Sequence, residues 1–135
     1  MVFYQECNID MSTHIHTSQS QDDYLEAILK ITNENGFCRS IDLANHLGYA
    51  TSSVSIAVGK LIKAALIRRG HAGELLLTEA GQHIAESVYE KHEFFSNWLS
   101  AIGVSKEIAE ADACRIEHAI SDTSFEKLKV HICQF

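Results

Sequence analysis

Apolar residues recur every three to four positions over most of the chain, which predicts helices linked by short turns. Tyr24, Leu25, Ile28, Leu29 and Ile31 mark a first helix, capped by Ser18 or Ser20 and closed by Gly36. A short second helix, capped by Ser40, covers Ile41 to Leu47 and stops at Gly48. A third begins at Ala50 or Thr51 and carries the stripe Val54, Ala57, Val58, Leu61, Ile62 and Ala65. The period then shortens. Leu66 to Arg69 and Leu75 to Leu77, joined by a loop with Gly70 and Gly73, read as a β-hairpin. Thr78 caps a long helix with Ile84, Ala85, Val88, Phe95, Trp98 and Leu99 on its apolar face and Gly103 at its exit; Ser105 caps another, running through Ile108, Asp112, Ile116 and Ile120.

Two short helices hinged on a glycine match the helix-turn-helix, and the hairpin behind them supplies a wing. The expected fold is mostly α: a winged helix-turn-helix DNA-binding domain over residues 18–82, then a helical domain over 83–135. Residues 1–17 have no sustained period and are read as a flexible arm, in which His14 and His16 are solvated.

At 135 residues and 46% apolar the chain supports one compact core region, and zero proline, where an average composition gives about seven, favours helices over loop-rich architectures. No apolar stretch is long enough for a membrane span and the first ten residues carry no export pattern, so a cytoplasmic protein with reduced cysteines at 7, 38, 114 and 133 is expected.

A net charge of −7 opposes nucleic-acid binding when taken as a whole, but its distribution reverses the inference. Residues 1–35 carry one base against six acids, 36–82 five against three, and 83–135 five against nine. The basic stretch is the helix-turn-helix and wing. There Thr51, Ser52, Ser53, Ser55 and Lys60 face away from the apolar stripe, and the hairpin adds Arg68, Arg69 and His71. These are the expected DNA contacts: hydroxyls for close approach, bases for counterion release. With no Asn, Gln or Arg on the exposed first turns, specificity leans on shape, backbone contacts and dimer spacing. So few bases per copy call for a dimer on paired half-sites.

The candidate chemistry lies further on. In Cys114-Arg115-Ile116-Glu117-His118, helical spacing puts a thiol, a carboxylate and an imidazole on one face, with Glu110 a turn earlier, a donor set suited to a divalent transition metal. Asp23 and Glu26 are spaced i, i+3 on the first helix, and His92 interrupts the apolar face of the long one.

Asp23-Tyr24-Leu25-Glu26-Ala27-Ile28, the helix-turn-helix with Ser52-Ser53-Val54, Leu76-Leu77-Thr78-Glu79-Ala80-Gly81, Lys91-His92-Glu93 and Cys114 to Ser121 together resemble the diphtheria toxin repressor family over residues 20–130. The resemblance implies an iron- or manganese-dependent repressor that binds double-stranded operator DNA as a homodimer, with Asp23, Glu26, His92, Cys114, Glu117 and His118 as metal ligands. The acidic pair is similar to the manganese regulators and Cys114 to the iron regulators. A thiolate suits Fe(II) better than Mn(II), so iron is expected first and manganese close behind, while other divalent transition metals bind in vitro. Ser96 and Glu110 stand where the iron branch has an ancillary site, and a binuclear centre bridged by Glu26 or Glu117 is the more natural use of the acids. The chain ends at Phe135, without room for an SH3-like third domain, so dimerisation is expected to use Ile102, Ile108, Ile116, Ile120, Phe125 and Leu128.

In the expected mechanism, a self-repelling anionic cluster leaves the first helix loosely held until a cation ties it down. The rival is a metal-independent winged-helix regulator sensing redox state or a small ligand through Cys114. An enzyme is not expected, since neither a general-base motif nor a glycine-rich phosphate loop is present.

Overall fold

The computed structural model describes residues 19–132 and contains, in chain order, α1 (Gln19–Asn35), α2 (Ser40–Leu47), α3 (Thr51–Lys63), β1 (Ile67–Arg69), β2 (Leu75–Leu77), α4 (Glu79–Ala101), α5 (Lys106–Glu117) and α6 (Asp122–Ile132). The expected arm, residues 1–17, lies outside the described residues, as do Ser18, Cys7 and Cys133.

α1 buries Tyr24, Leu25, Ala27, Ile28, Leu29 and Ile31 against Leu43 of α2, Val54, Val58 and Leu61 of α3, and Ile67 and Leu75 of the hairpin. α2 ends where the sequence indicates, at Gly48, whose φ of 71° is open to a residue without a Cβ. Its start differs. Ser40 is already helical, and Arg39 precedes the helix with its backbone N–H and guanidinium both donating to the Asp42 carboxylate. Ser20 is likewise inside α1 rather than before it. The α3 stripe stops at Leu61, leaving Ile62 and Ala65 exposed. The chain leaves the helix through Ala65 at φ 60°, and this left-handed residue turns Leu66 and Ile67 back into the core.

The wing is a two-stranded antiparallel ribbon pairing Ile67 with Leu77 and Arg69 with Leu75. Leu75 N–H also donates to Cys38 O at 2.7 Å, which fastens the ribbon to the α1–α2 turn. Thr78 caps α4 as expected: its Oγ1 accepts from Gly81 N–H at 3.2 Å and donates to Ala65 O at 2.7 Å. Gly81 sits so close to β1 that a Cβ there would lie 1.9 Å from Leu66 O.

α4 runs without interruption from the wing to a second apolar cluster, where Phe95 meets Ala113 of α5 and Phe125 of α6. The Phe95 and Phe125 ring centroids are 5.8 Å apart, and Phe94 meets each of them edge-on. The sequence suggests one helix from Ser105 through Ile120. Instead α5 ends at Glu117, and α6 is a separate element whose Phe125 completes this cluster. Ile102 and Ile108 remain exposed, whereas Ile116, Ile120 and Leu128 pack against the cluster. None of the described helices is long and apolar enough to cross a membrane.

Candidate metal centre

Three helices converge on the same point. α1 turns its apolar face to the core and brings Asp23 and Glu26, one turn apart, to its edge. α4 contributes His92, buried three residues before Phe95. The last turn of α5 contributes Cys114 and Glu117, and His118 is its C-cap.

The donor atoms of Asp23, Cys114, Glu117 and His118 all lie within 4.8 Å of one another, and so do those of Glu26, His92 and Glu117. Glu117 belongs to both groups. The structure thus brings the six sequence-predicted side chains into two adjoining sets that share one carboxylate. A cleft lined by Asp23, Glu26, Lys30, His92, Cys114 and Glu117 opens beside them.

Hydrogen bonds across elements fix the orientations. His118 Nε2 faces Asp23 Oδ1 at 3.0 Å, and its Nδ1 faces Asp22 Oδ2 at 3.3 Å. His92 lies between two carboxylates, with Nδ1 2.9 Å from Glu117 Oε2 and Nε2 2.7 Å from Glu110 Oε2; Ser96 Oγ donates to Glu110 Oε1 at 3.1 Å. Sequence reasoning placed Glu110 on the right side of α5 but missed its bond to His92. It also missed Asp22 and Lys30, whose Nζ is 3.1 Å from Glu26 Oε1. The i, i+4 spacing of Glu26 and Lys30 was the available signal.

Glu117 is the electrostatic focus. Burial first, then the charges of Glu26 and Asp23, push its carboxyl up to about 8. Asp23 is also raised, chiefly by burial. The Cys114 thiol is pushed up to about 11 by burial and then by Glu117, Asp23 and Glu26. Glu110, hydrogen-bonded to His92 and near the surface, is instead lowered. Glu117 Oε1 is buried and accepts no hydrogen bond, although His118 Nε2 is 3.2 Å away. An orphaned carboxylate oxygen among carboxylates, imidazoles and a thiol is unfavourable by itself and well suited to a divalent cation, which attracts each of these donors and offsets the repulsion among the carboxylates. The donor set fits such an ion.

In the helix-turn-helix and wing, Thr51, Ser52, Ser53, Ser55, Lys60, Arg68, Arg69 and His71 are all exposed. Arg69 Nη1 donates to Gly73 O at 3.2 Å and stiffens the tip of the wing. Among the serines of α3, the apolar Ile56 is 63% exposed.

Two family models cover most of the chain: the iron dependent repressor N-terminal DNA binding domain matches residues 16–73, and the iron dependent repressor metal binding and dimerisation domain matches residues 78–134. The transcriptional regulator MntR of Escherichia coli O6:H1 is 31% identical over 115 residues, covering 85% of this chain and 74% of that protein. The HTH-type transcriptional regulator MntR of Bacillus subtilis is 35% identical over 113 residues, covering 83% of this chain and 79% of that protein. Among solved structures, the manganese regulator SloR superposes with a TM-score of 0.72 at 26% identity over 83% of this chain and 53% of its own.

Proposed function

The chain belongs to the iron-dependent repressor family, and from that premise we propose that metal held by Asp23, Glu26, His92, Cys114, Glu117 and His118 governs its grip on DNA. It is a metal-dependent DNA-binding transcriptional repressor, acting on operator DNA as a homodimer with Mn(II) or Fe(II) as cofactor. Regulators of this family are not enzymes. The cytoplasm is the compartment where such a regulator meets its operator. The observation that carries the ligand assignment is Glu117, a buried carboxylate common to both donor groups with one oxygen unpartnered.

Were two ions bound, Asp23, Cys114, Glu117 and His118 would hold one and Glu26, His92 and Glu117 the other. The oxygen-rich character of the donor set suits Mn(II) and Fe(II), and Cys114 tilts the preference toward Fe(II). Residues 18–82 act as the DNA-binding unit and 83–135 as the metal-binding and dimerisation unit, with α4 running through both and α1 supplying ligands from the DNA-binding side. Thr51, Ser52, Ser53, Ser55, Lys60, Arg68, Arg69 and His71 form the surface offered to the duplex. Metal strengthens DNA binding to the extent that it prefers α1 docked on α5 over α1 displaced. The thiol-sensing alternative fares worse, because a sensing cysteine needs a lowered pKa and burial raises that of Cys114 to about 11.

Anaerobic titration on a labelled operator candidate tests this reading with Fe(II), Mn(II) and Zn(II). Either of the first two should strengthen binding by about tenfold or more, the range of ordinary allosteric coupling. Equal affinity with chelator and with metal would reject it.

A further inference from the structure

The donor cluster contains one ammonium group that the proposed function does not use. Lys30 stands one turn after Glu26 on α1 with its Nζ 3.1 Å from Glu26 Oε1, in the same cleft as Glu117, His92 and Cys114. Glu26 is buried, so the pair is shielded from solvent on the carboxylate side. On its other side, Lys30 Nζ lies 5.9 Å from the centroid of the half-exposed Tyr89 ring of α4. The ammonium therefore has two places to rest: on a carboxylate of the donor set, or over an aromatic face at the rim.

We propose that Lys30 is a tethered competitor for the Glu26 end of the site, resting on Glu26 when metal is absent and yielding it, toward Tyr89, when a divalent ion binds. The inference rests on the metal-binding reading above. Three acids, Asp23, Glu26 and Glu117, meet here with Glu110 close by, and without a cation they repel one another. Lys30 supplies one positive charge from within the chain. It holds the metal-free molecule together, and the same contact has to be broken before Glu26 can ligate. Lys30 thus sets the free-metal concentration at which the second donor group fills. Occupancy of the Glu26 end becomes a contest between a tethered monovalent group and a free divalent one.

The test is Lys30→Met, which keeps the unbranched stem and removes the charge, with Lys30→Arg as the charge-retaining control. Mn(II) is titrated into the chelated, full-length protein and free ion is followed by its paramagnetic resonance signal; Fe(II) under argon replaces it if the wild type takes only that ion. For a partly buried charge pair, Lys30→Met should tighten one class of site by about fivefold to tenfold, and Lys30→Arg should stay within about twofold of wild type. In a Glu26→Gln background the gain from Lys30→Met should vanish. Thermal melts give a second readout: Lys30→Met lowers the midpoint of the metal-free protein and enlarges the shift produced by Mn(II). Unchanged or weaker binding in Lys30→Met, or an equal gain with Glu26→Gln in place, overturns the proposal while leaving the metal site standing. A wild type that binds neither ion removes the metal reading and this inference together.

Discussion

His118 Nε2 lies 3.0 Å from Asp23 Oδ1, so the C-cap of α5 is tied to the first turns of α1 across a sequence separation of 95 residues. This bond crosses between the two halves of the chain at the place where the donor groups meet. His118→Ala should therefore weaken metal binding by more than about tenfold, shrink the metal-induced rise in melting temperature, and lower the metal-free melt as well by removing this bond. Calorimetric titration and melts with and without Mn(II) measure both. A variant with wild-type affinity would remove His118 from the ligand set.

The raised carboxyls make the metal-free protein a pH-dependent fold. Glu117 ordinarily titrates near 4.5 and is pushed up to about 8 by burial and by Glu26 and Asp23. Between those values the native state holds a proton that the unfolded chain has released, so stability is greatest below the unfolded value and falls as pH rises through the folded one. Asp23, also raised, adds in the same direction. Melts of chelated protein from pH 5 to pH 8 should show a falling midpoint, and saturating Mn(II) should flatten the trend by taking the place of the proton. A rising midpoint in chelator would contradict the burial argument.

If Cys114 ligates as proposed, its sulfur biases the site toward softer ions. Replacing the thiol with a hard carboxylate, Cys114→Glu, should lower the ratio of Zn(II) to Mn(II) affinity by about tenfold or more, since thiolate sulfur selects softer ions. Competition titration between the two ions reads that ratio directly. An unchanged ratio would mean that the sulfur does not ligate.

The two helical glycines Gly81 and Gly59 should respond in opposite ways to alanine. A Cβ at position 81 meets the Leu66 carbonyl oxygen at 1.9 Å, a backbone atom that cannot swing aside, so Gly81→Ala should cost about 2 kcal/mol or more. A Cβ at position 59 meets nothing within 4 Å inside α3, so Gly59→Ala should stabilise by about 0.5–1 kcal/mol. Denaturant midpoints of the two variants, moving in opposite directions from wild type, check the pair.

The helix-turn-helix and wing were legible because each boundary carries its own chemistry: Gly48 with positive φ, Thr78 with a hydroxyl free to cap, and two glycines in the wing loop. Ile62 was misplaced because it is inside α3 but off the face formed by Val54, Val58 and Leu61, and Ala65 because periodicity continues in sequence after α3 has stopped; the left-handed Ala65 has no signal in its residue type. α5 ends at Glu117, short of the expected Ile120, in a stretch with neither proline nor glycine to mark the stop; α6 was not assigned from the sequence, although Ser121, whose Oγ accepts from Ser124 N–H, stands before it as a cap. Helical spacing paired Asp23 with Glu26 and grouped Cys114 with Glu117 and His118, whereas His92, alone on α4, joined them only through the family resemblance. Their division into two groups around Glu117 was not legible, because it depends on where α1 and α4 cross α5.

α4 is one unbroken helix of 23 residues, pinned to the wing at Gly81 and bearing His92 eleven positions later. A single inserted or deleted residue between them would turn the imidazole by about 100° around the rod and carry it out of reach of Glu117. The spacing from Gly81 to His92 is therefore a reading frame in three dimensions: the exposed side chains along that stretch are free to vary, but Ala85 and Val88 are held by burial and the length by the frame.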